Sequence, residues 1–181
     1  SVDDRVVLFV GRLTWIKRVD RLIEAMAAVQ EKVQSSILVV AGDGELSGEL
    51  QEMAARAGVR AEFLGWRSDT ASLYAAADLA VLSSDNEGMP VTLLEAAMSG
   101  VPAVTTDVGS ASEVVRDGET GVVVECNASS LAGGMVGLLN DPASMRRMGE
   151  AARERVVLEF GTERLVRDHA RLYRRLVGCS A

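Results

Sequence analysis

The sequence predicts an α/β protein built on a doubly wound parallel sheet of about six strands. Three observations carry that expectation: six short apolar runs rich in β-branched residues, little polar alternation inside them, and helical periodicity in the segments between. An apolar run without alternation fits a strand covered on both faces, the usual condition of a parallel sheet. The 181 residues, 48% of them hydrophobic, suffice for one domain with a sizeable core, and no linker divides the chain.

The first run, RVVLFV at 5–10, is closed by Gly11, and Val19, Leu22, Ile23, Met26, Val29 and Val33 then recur at helical intervals. SILVVA at 36–41 precedes a short helix candidate at 48–57, and AEFL at 61–64 precedes another at 70–77. DLAVLS at 78–83 leads through a polar loop into a helix over 90–99, with Pro90 in its first turn and Gly100 past its end. VPAVT at 101–105 and TGVVV at 120–124 flank a short helix at 110–116, and helices over 128–140, 142–158 and 162–177 complete the pattern. Ligands of doubly wound sheets bind at the carboxyl ends of the strands, so the loops that follow the strands are where chemistry is sought.

Composition excludes several classes of function. A net charge of -7 and 4% aromatic residues argue against a nucleic-acid binder. Apolar runs break well short of the ~18 residues a membrane span needs, and the N-terminus lacks a basic-then-apolar signal pattern, so a soluble, cytoplasmic protein is expected. Cys126 and Cys179 have no Cys or His partners nearby, which fits reduced thiols rather than a zinc site or a disulfide framework. The chain starts at Ser1, almost directly in the first strand, as a piece of something longer would. Residues 144–175 hold nine arginines against five acids, read as a pair of solvated helices with interleaved charges. His169 reads as a solvated helix residue, and the seven methionines read as core filler.

Three loops hold residues that could carry chemistry. After the first strand, Gly11 to Arg18 holds the cations Arg12, Lys17 and Arg18 where the loop turns into a helix. Unpaired N–H groups at a helix N-terminus, with Arg12 and Lys17 beside them, can clamp a diphosphate, and the same segment also fits a solvated basic loop. After the second strand, Gly42-Asp43-Gly44-Glu45-Leu46-Ser47 begins like the dinucleotide fingerprint but has Ser47 in place of the last glycine. A tight turn is the better reading, and a hydride-transfer cofactor is disfavoured. After the fourth strand, Glu87 lies in a glycine-bearing loop and Glu95 one and a half turns into the next helix, both able to accept hydrogen bonds from a polyhydroxyl ligand. Thr92, Glu95 and Ser99 share a helical face, so spacing leaves open whether Glu95 faces ligand or water. Backbone N–H groups from Gly88 to Val91, Pro90 excepted, can also meet an anion.

The stretches VGRLTWIKRVDRLIEA, AGDGEL, FLGWRSD, ADLAVLSSDNEGMPVTLLEAAMSGVPAVTTDVGSASEVVRDGETGVVV and ARERVVLEF resemble, in order and over nearly the whole chain, the C-terminal, donor-binding half of retaining GT-B glycosyltransferases, the large family 4 group. The most specific part is the E-x(7)-E spacing from Glu87 to Glu95 combined with Arg12 and Lys17. The resemblance implies one Rossmann-like half of a GT-B fold and an acceptor-binding N-terminal domain absent from this chain. It implies that Arg12 and Lys17, next to Gly11, hold the diphosphate of a UDP-, GDP- or ADP-linked sugar and stabilise it as it leaves. Glu87 then contacts sugar hydroxyls, Gly88, Met89, Pro90 and Val91 line the sugar and phosphate pocket, and Glu95 binds the ribose diol. The backbone around Trp66 and Arg67 reads the base. Neither a metal nor a further cofactor is implied, the nucleotide-sugar being a substrate, and this half alone is expected to transfer little. A non-catalytic nucleotide or nucleotide-sugar binding module is the alternative. Two departures stand out: Arg18 where many relatives have glycine, and Ser110 where a second glycine often follows Gly109.

Overall fold

A computed structural model describes residues 4–178; Ser1 and Cys179 lie outside the described residues. Six strands, β1 (Arg5–Val10), β2 (Ser36–Ala41), β3 (Ala61–Gly65), β4 (Leu79–Leu82), β5 (Ala103–Thr106) and β6 (Gly121–Val124), form one sheet in the order β3-β2-β1-β4-β5-β6. All neighbours run parallel, as the unalternated apolar runs require. Eight α-helices accompany them among the described residues: α1 (Val19–Lys32), α2 (Ser47–Arg56), α3 (Thr70–Ala75), α4 (Val91–Met98), α5 (Ala111–Val114), α6 (Ala128–Leu139), α7 (Pro142–Phe160) and α8 (Thr162–Leu176).

Successive side chains of a strand point to opposite faces, and each face has its own helical cover. Val7 and Phe9 of β1 join Leu38, Val40, Val81 and Val104 under α1 and α6, where Leu22, Ile23, Met26, Leu131 and Met135 are fully buried. Leu8 joins Ala80, Leu82 and Ala103 on the other face, under Tyr74 of α3, Leu93 and Ala96 of α4 and Ala111 of α5. Each such buried leucine contributes roughly 1.5–3 kcal/mol relative to exposure. Helices α1 and α4 therefore leave neighbouring strands toward opposite faces. The strand order reverses between β1 and β4, the place where ligands of doubly wound sheets generally bind above the carboxyl ends.

Local differences from the expected boundaries have physical causes. The fifth strand begins at Ala103 rather than at residue 101, because Pro102 has no N–H to donate and enters the ladder only through its carbonyl, which accepts from Ala80 N at 3.0 Å. Pro90 is not in the first turn of α4 but caps it in an extended conformation, φ -75° and ψ 94°, and its carbonyl accepts from Leu93 N. The expected pair of solvated helices is half right. One face of α7 is buried through Met145, Met148, Ala152 and Val156, whereas α8 has no buried residue. Of the methionines, Met26, Met135, Met145 and Met148 fill the core, while Met89 and Met98 are exposed. No helix among the described residues is long and apolar enough to cross a membrane.

Candidate functional site

The loop after β1 rests on the loop after β2. Gly11 N donates to Ala41 O at 3.0 Å, Leu13 N to Asp43 O at 3.0 Å, and Leu46 N back to Leu13 O at 3.2 Å. A Cβ on Gly42 would stand 1.8 Å from Gly11 O, and one on Gly44 2.4 Å from Leu13 O. The glycines of the failed fingerprint thus let two backbones touch, and Ser47 N donating to Gly44 O closes the tight turn. Leu13 is fully buried, and Lys17 ends a 3₁₀ turn over Trp15–Lys17. Arg18 then enters α1 with φ 49°, the left-handed region where glycine is favoured.

The loop after β4 is stitched to that turn. Ser83 Oγ donates to Lys17 O at 2.8 Å and Asp85 N to Ile16 O at 2.9 Å. Buried Arg21 donates to Ser83 O at 2.9 Å and to Asp85 at 2.5 Å, while Arg18 reaches Asp85 at 2.9 Å and Asp20 at 3.0 Å. Burial tends to raise the Asp85 carboxyl, but the hydrogen bonds from Arg18 and Arg21 win and hold it below its ordinary range. The Arg18 guanidinium is pushed up, first by its hydrogen bonds to Asp20 and next by those to Asp85. Arg18 therefore offsets its backbone strain with two carboxylates that a glycine could not engage.

Two predicted site residues meet directly. Lys17 Nζ stands 2.6 Å from Glu87 Oε1, and Ser84 Oγ donates to the same oxygen at 2.6 Å. The Glu87 backbone is fixed from behind by Gly109, whose φ is 51° and whose Cβ, if present, would fall 1.7 Å from Glu87 O. Thr106 Oγ1 donates to Ser84 O at 2.7 Å, tying the same loop to the end of β5. Gly88 and Met89 are exposed above Pro90, which is buried, and Val91 at the start of α4 is 59% exposed. Glu95, one turn further on, is half-buried. Its neighbour across α3 is Tyr74, whose hydroxyl donates to Thr92 O at 2.9 Å. The Tyr74 hydroxyl is pushed up first by its burial and then by the Glu95 carboxylate. Glu95 thus has a packed neighbour and does not simply face water.

A second group gathers around a cavity of about 210 Å³ at the ends of β1, β2 and β3, lined by Gly11, Arg12, Gly42, Asp43, Trp66 and Arg67. Trp66 is 75% exposed, Arg67 is paired with Asp69 at 2.6 Å, and the Arg12 side chain takes no hydrogen bond or ion pair among the described residues. A larger cavity of about 560 Å³ lies where α7 meets α8, walled by Met89, Glu113, Arg155, Phe160 and His169. We place the candidate site at the smaller one. The larger has its main cation committed, since Arg155 holds the carbonyls of Glu113 and Val114 and the Glu159 carboxylate. His169 is exposed, as expected, its Nδ1 2.8 Å from Leu165 O. No cluster of three or more His, Cys, Asp or Glu placed to hold a metal ion occurs among the described residues.

Residues 1–155 match the family model described as Glycosyl transferases group 1. The chain belongs to that family. A curated relative, N-acetyl-alpha-D-glucosaminyl L-malate synthase of Bacillus anthracis, is 32% identical over 96% of this chain and 46% of its own length. The chain spans about half the length of the curated relatives it matches. Among solved structures, HepE of Anabaena in complex with UDP-glucose superposes with a TM-score of 0.87 at 26% identity, over 96% of this chain and 49% of that one. The C-terminal domain of the group 1 glycosyl transferase LpcC from Francisella tularensis shares the fold, with a TM-score of 0.80 at 24% identity over 87% of each chain.

For this group 1 glycosyltransferase domain, Arg21, Ser84, Asp85 and Tyr74 are the residues holding the candidate site that sequence reasoning did not single out. Arg21 lies outside the apolar stripe that Val19, Leu22, Ile23, Met26 and Val29 mark on α1, so periodicity gave no signal that it would be buried. Its partner Asp85 is 64 residues away, a distance no periodicity bridges.

Proposed function

We propose that this chain is the nucleotide-sugar-binding half of a retaining, metal-independent glycosyltransferase of family 4. In this reading the enzyme moves a sugar from a UDP-, GDP- or ADP-linked donor to an acceptor bound by a second domain. The observation that carries the reading is the arrangement at the strand-order reversal. Lys17 and Glu87 stand together in the loops after β1 and β4, and Arg12, unpaired among the described residues, lines the Trp66 cavity from the same β1 loop. Arg12 and Lys17 take the diphosphate, and their charge stabilises it as the bond to the sugar breaks, with no metal required for that term. Glu87 accepts hydrogen bonds from the sugar, with Gly88, Met89, Pro90 and Val91 around it. Glu95 accepts from the ribose diol, and the backbone around Trp66 and Arg67 meets the base. Neither carboxylate is assigned as a nucleophile. The UDP-glucose bound by HepE supports a uridine donor ahead of the other two. Exposed Cys126, a free thiol, fits a reducing cytoplasm.

Calorimetric titration of the folded chain with UDP, GDP, ADP and their sugar conjugates, first without metal and then with magnesium, tests this. We expect metal-independent binding of one nucleotide, weakened by about 1.5–3 kcal/mol in Arg12→Ala. Unchanged affinity in that variant would sink the diphosphate assignment. Glu95→Gln is expected to weaken ribonucleotides and spare their 2′,3′-dideoxy analogues; equal losses with both would mean that Glu95 is structural.

A further inference from the structure

The two cations offered to the diphosphate are in different states. Arg12 is exposed and unpaired among the described residues, whereas the Lys17 ammonium is already matched by Glu87 at 2.6 Å. That pair is no loose surface contact, because the two side chains keep only 25% and 9% of their exposure. Both Lys17 and Ser84 bond to Oε1, and Oε2 has no protein partner among the described residues. Two other cations of the junction are taken: Arg18 is committed to Asp20 and Asp85, and Arg21 to Asp85. Nor can the loop retreat, since Gly109 packs against the Glu87 carbonyl and Thr106 holds the carbonyl of Ser84.

A diphosphate that draws on Lys17 must therefore share it with Glu87 and lie beside a carboxylate that has lost part of its counter-charge. Like charges at that range oppose one another, more so where solvent is partly excluded. A sugar joined to the diphosphate changes the balance, because its hydroxyls donate to Glu87 as Lys17 turns toward the phosphates. We propose that Glu87 is a built-in competitor of the diphosphate, so that the site favours the intact nucleotide-sugar over the nucleoside diphosphate left after transfer. This rests on the reading of the loop as a donor site. It adds a discrimination step, with a route to product release, in which the carboxylate reclaims Lys17 once the sugar has gone.

The test is a double-mutant cycle read by calorimetry, using whichever of UDP, GDP or ADP the wild-type chain binds best and its glucose conjugate. In Glu87→Gln, which keeps the shape and an acceptor for Ser84 but removes the charge, the nucleoside diphosphate is expected to bind about tenfold more tightly. The glucose conjugate is expected to gain nothing, so the preference for it collapses. Combined with Lys17→Met, Glu87→Gln is expected to give no gain, a coupling that a general loosening of the loop does not produce. If the Gln variant does not fold, Glu87→Asp, which draws the carboxylate back from Lys17, is read by the same criterion with a smaller gain. Nucleoside diphosphate affinity that is unchanged or weakened, or a gain that persists without Lys17, overturns the inference while leaving the donor-site reading intact if Arg12→Ala still loses affinity. Loss of all nucleotide binding in the wild type, or indifference to Arg12→Ala, overturns both.

Discussion

At the junction of β1 and β4, Lys17, Arg18 and Arg21 are matched to Glu87 and Asp85 across 64 to 70 residues of sequence, whereas along α8 the pairs Arg164–Asp168 and Arg167–Asp168 stay within a single turn. The apolar residues divide in the same way. Leu13, Leu82 and Leu93 are buried beneath the junction, while Leu165, Val166, Leu172, Tyr173 and Leu176 on α8 are each at least 50% exposed. The junction exists only once the sheet is assembled, so its charges report on the tertiary fold. Helix α8 holds itself together with local pairs and follows α7 through Gly161, whose extended backbone, φ -68° and ψ 152°, breaks the helix. Charges cross-linked this way are fixed in place before any ligand arrives.

The sharpest way to break the contrast is to loosen the junction from behind. Gly109→Ala forces a Cβ into the Glu87 carbonyl at a left-handed backbone position, and a loss of about 3 kcal/mol in urea unfolding is expected. Stability within 0.5 kcal/mol of wild type would mean that the loop after β4 is free to move, contrary to its bonding. Next in size is Arg21→Met, which keeps the apolar stem but strips Ser83 O and Asp85 of a buried donor; about 2 kcal/mol is expected. No measurable loss would assign the latch to Arg18 alone.

The sequence made one half of this comparison legible and not the other. The strands read clearly, because a parallel sheet covered on both faces leaves unbroken apolar runs, and five of the six begin within one residue of expectation. Arg12, Lys17, Glu87 and Glu95 stood out as charges placed where strands end. What single-residue reasoning does not supply is pairing: that Lys17 is already spoken for by Glu87, that Asp85 answers Arg21, and that Gly109 exists for the carbonyl of Glu87. These facts depend on strand order, and strand order is not local. Arg18 shows the same limit, since its left-handed backbone and its two carboxylates emerge only with the folded loop.

A smaller effect sharpens the electrostatic side. Burial would raise the Asp85 carboxyl, yet Arg18 and Arg21 hold it below its ordinary value of 3.8 in the folded chain. A carboxyl depressed on folding adds stability that is fully present above 3.8 and lost as the pH falls through the folded pKa. Because its side chain is 44% exposed, the contribution is screened and held to about 0.5–1 kcal/mol. Asp85→Asn should therefore be less stable than wild type by that amount at pH 6, with the two converging as the pH drops below 3.8. A gap that stays constant with pH would trace the effect to hydrogen-bond geometry rather than charge.

The smallest expected effect belongs to α8, and its size is the point. A substitution costs stability through the contacts it removes, and Leu172, half exposed on a helix with no buried residue, has few to lose within this chain. Leu172→Gln retains helix propensity and is expected to change unfolding stability by less than about 0.5 kcal/mol, with nucleotide affinity unchanged. A loss above 1 kcal/mol would show that the apolar face of α8 packs on this chain after all, and the contrast with the junction would fail. A gain in solubility with stability unchanged would instead identify that face as surface the fold of residues 4–178 does not use.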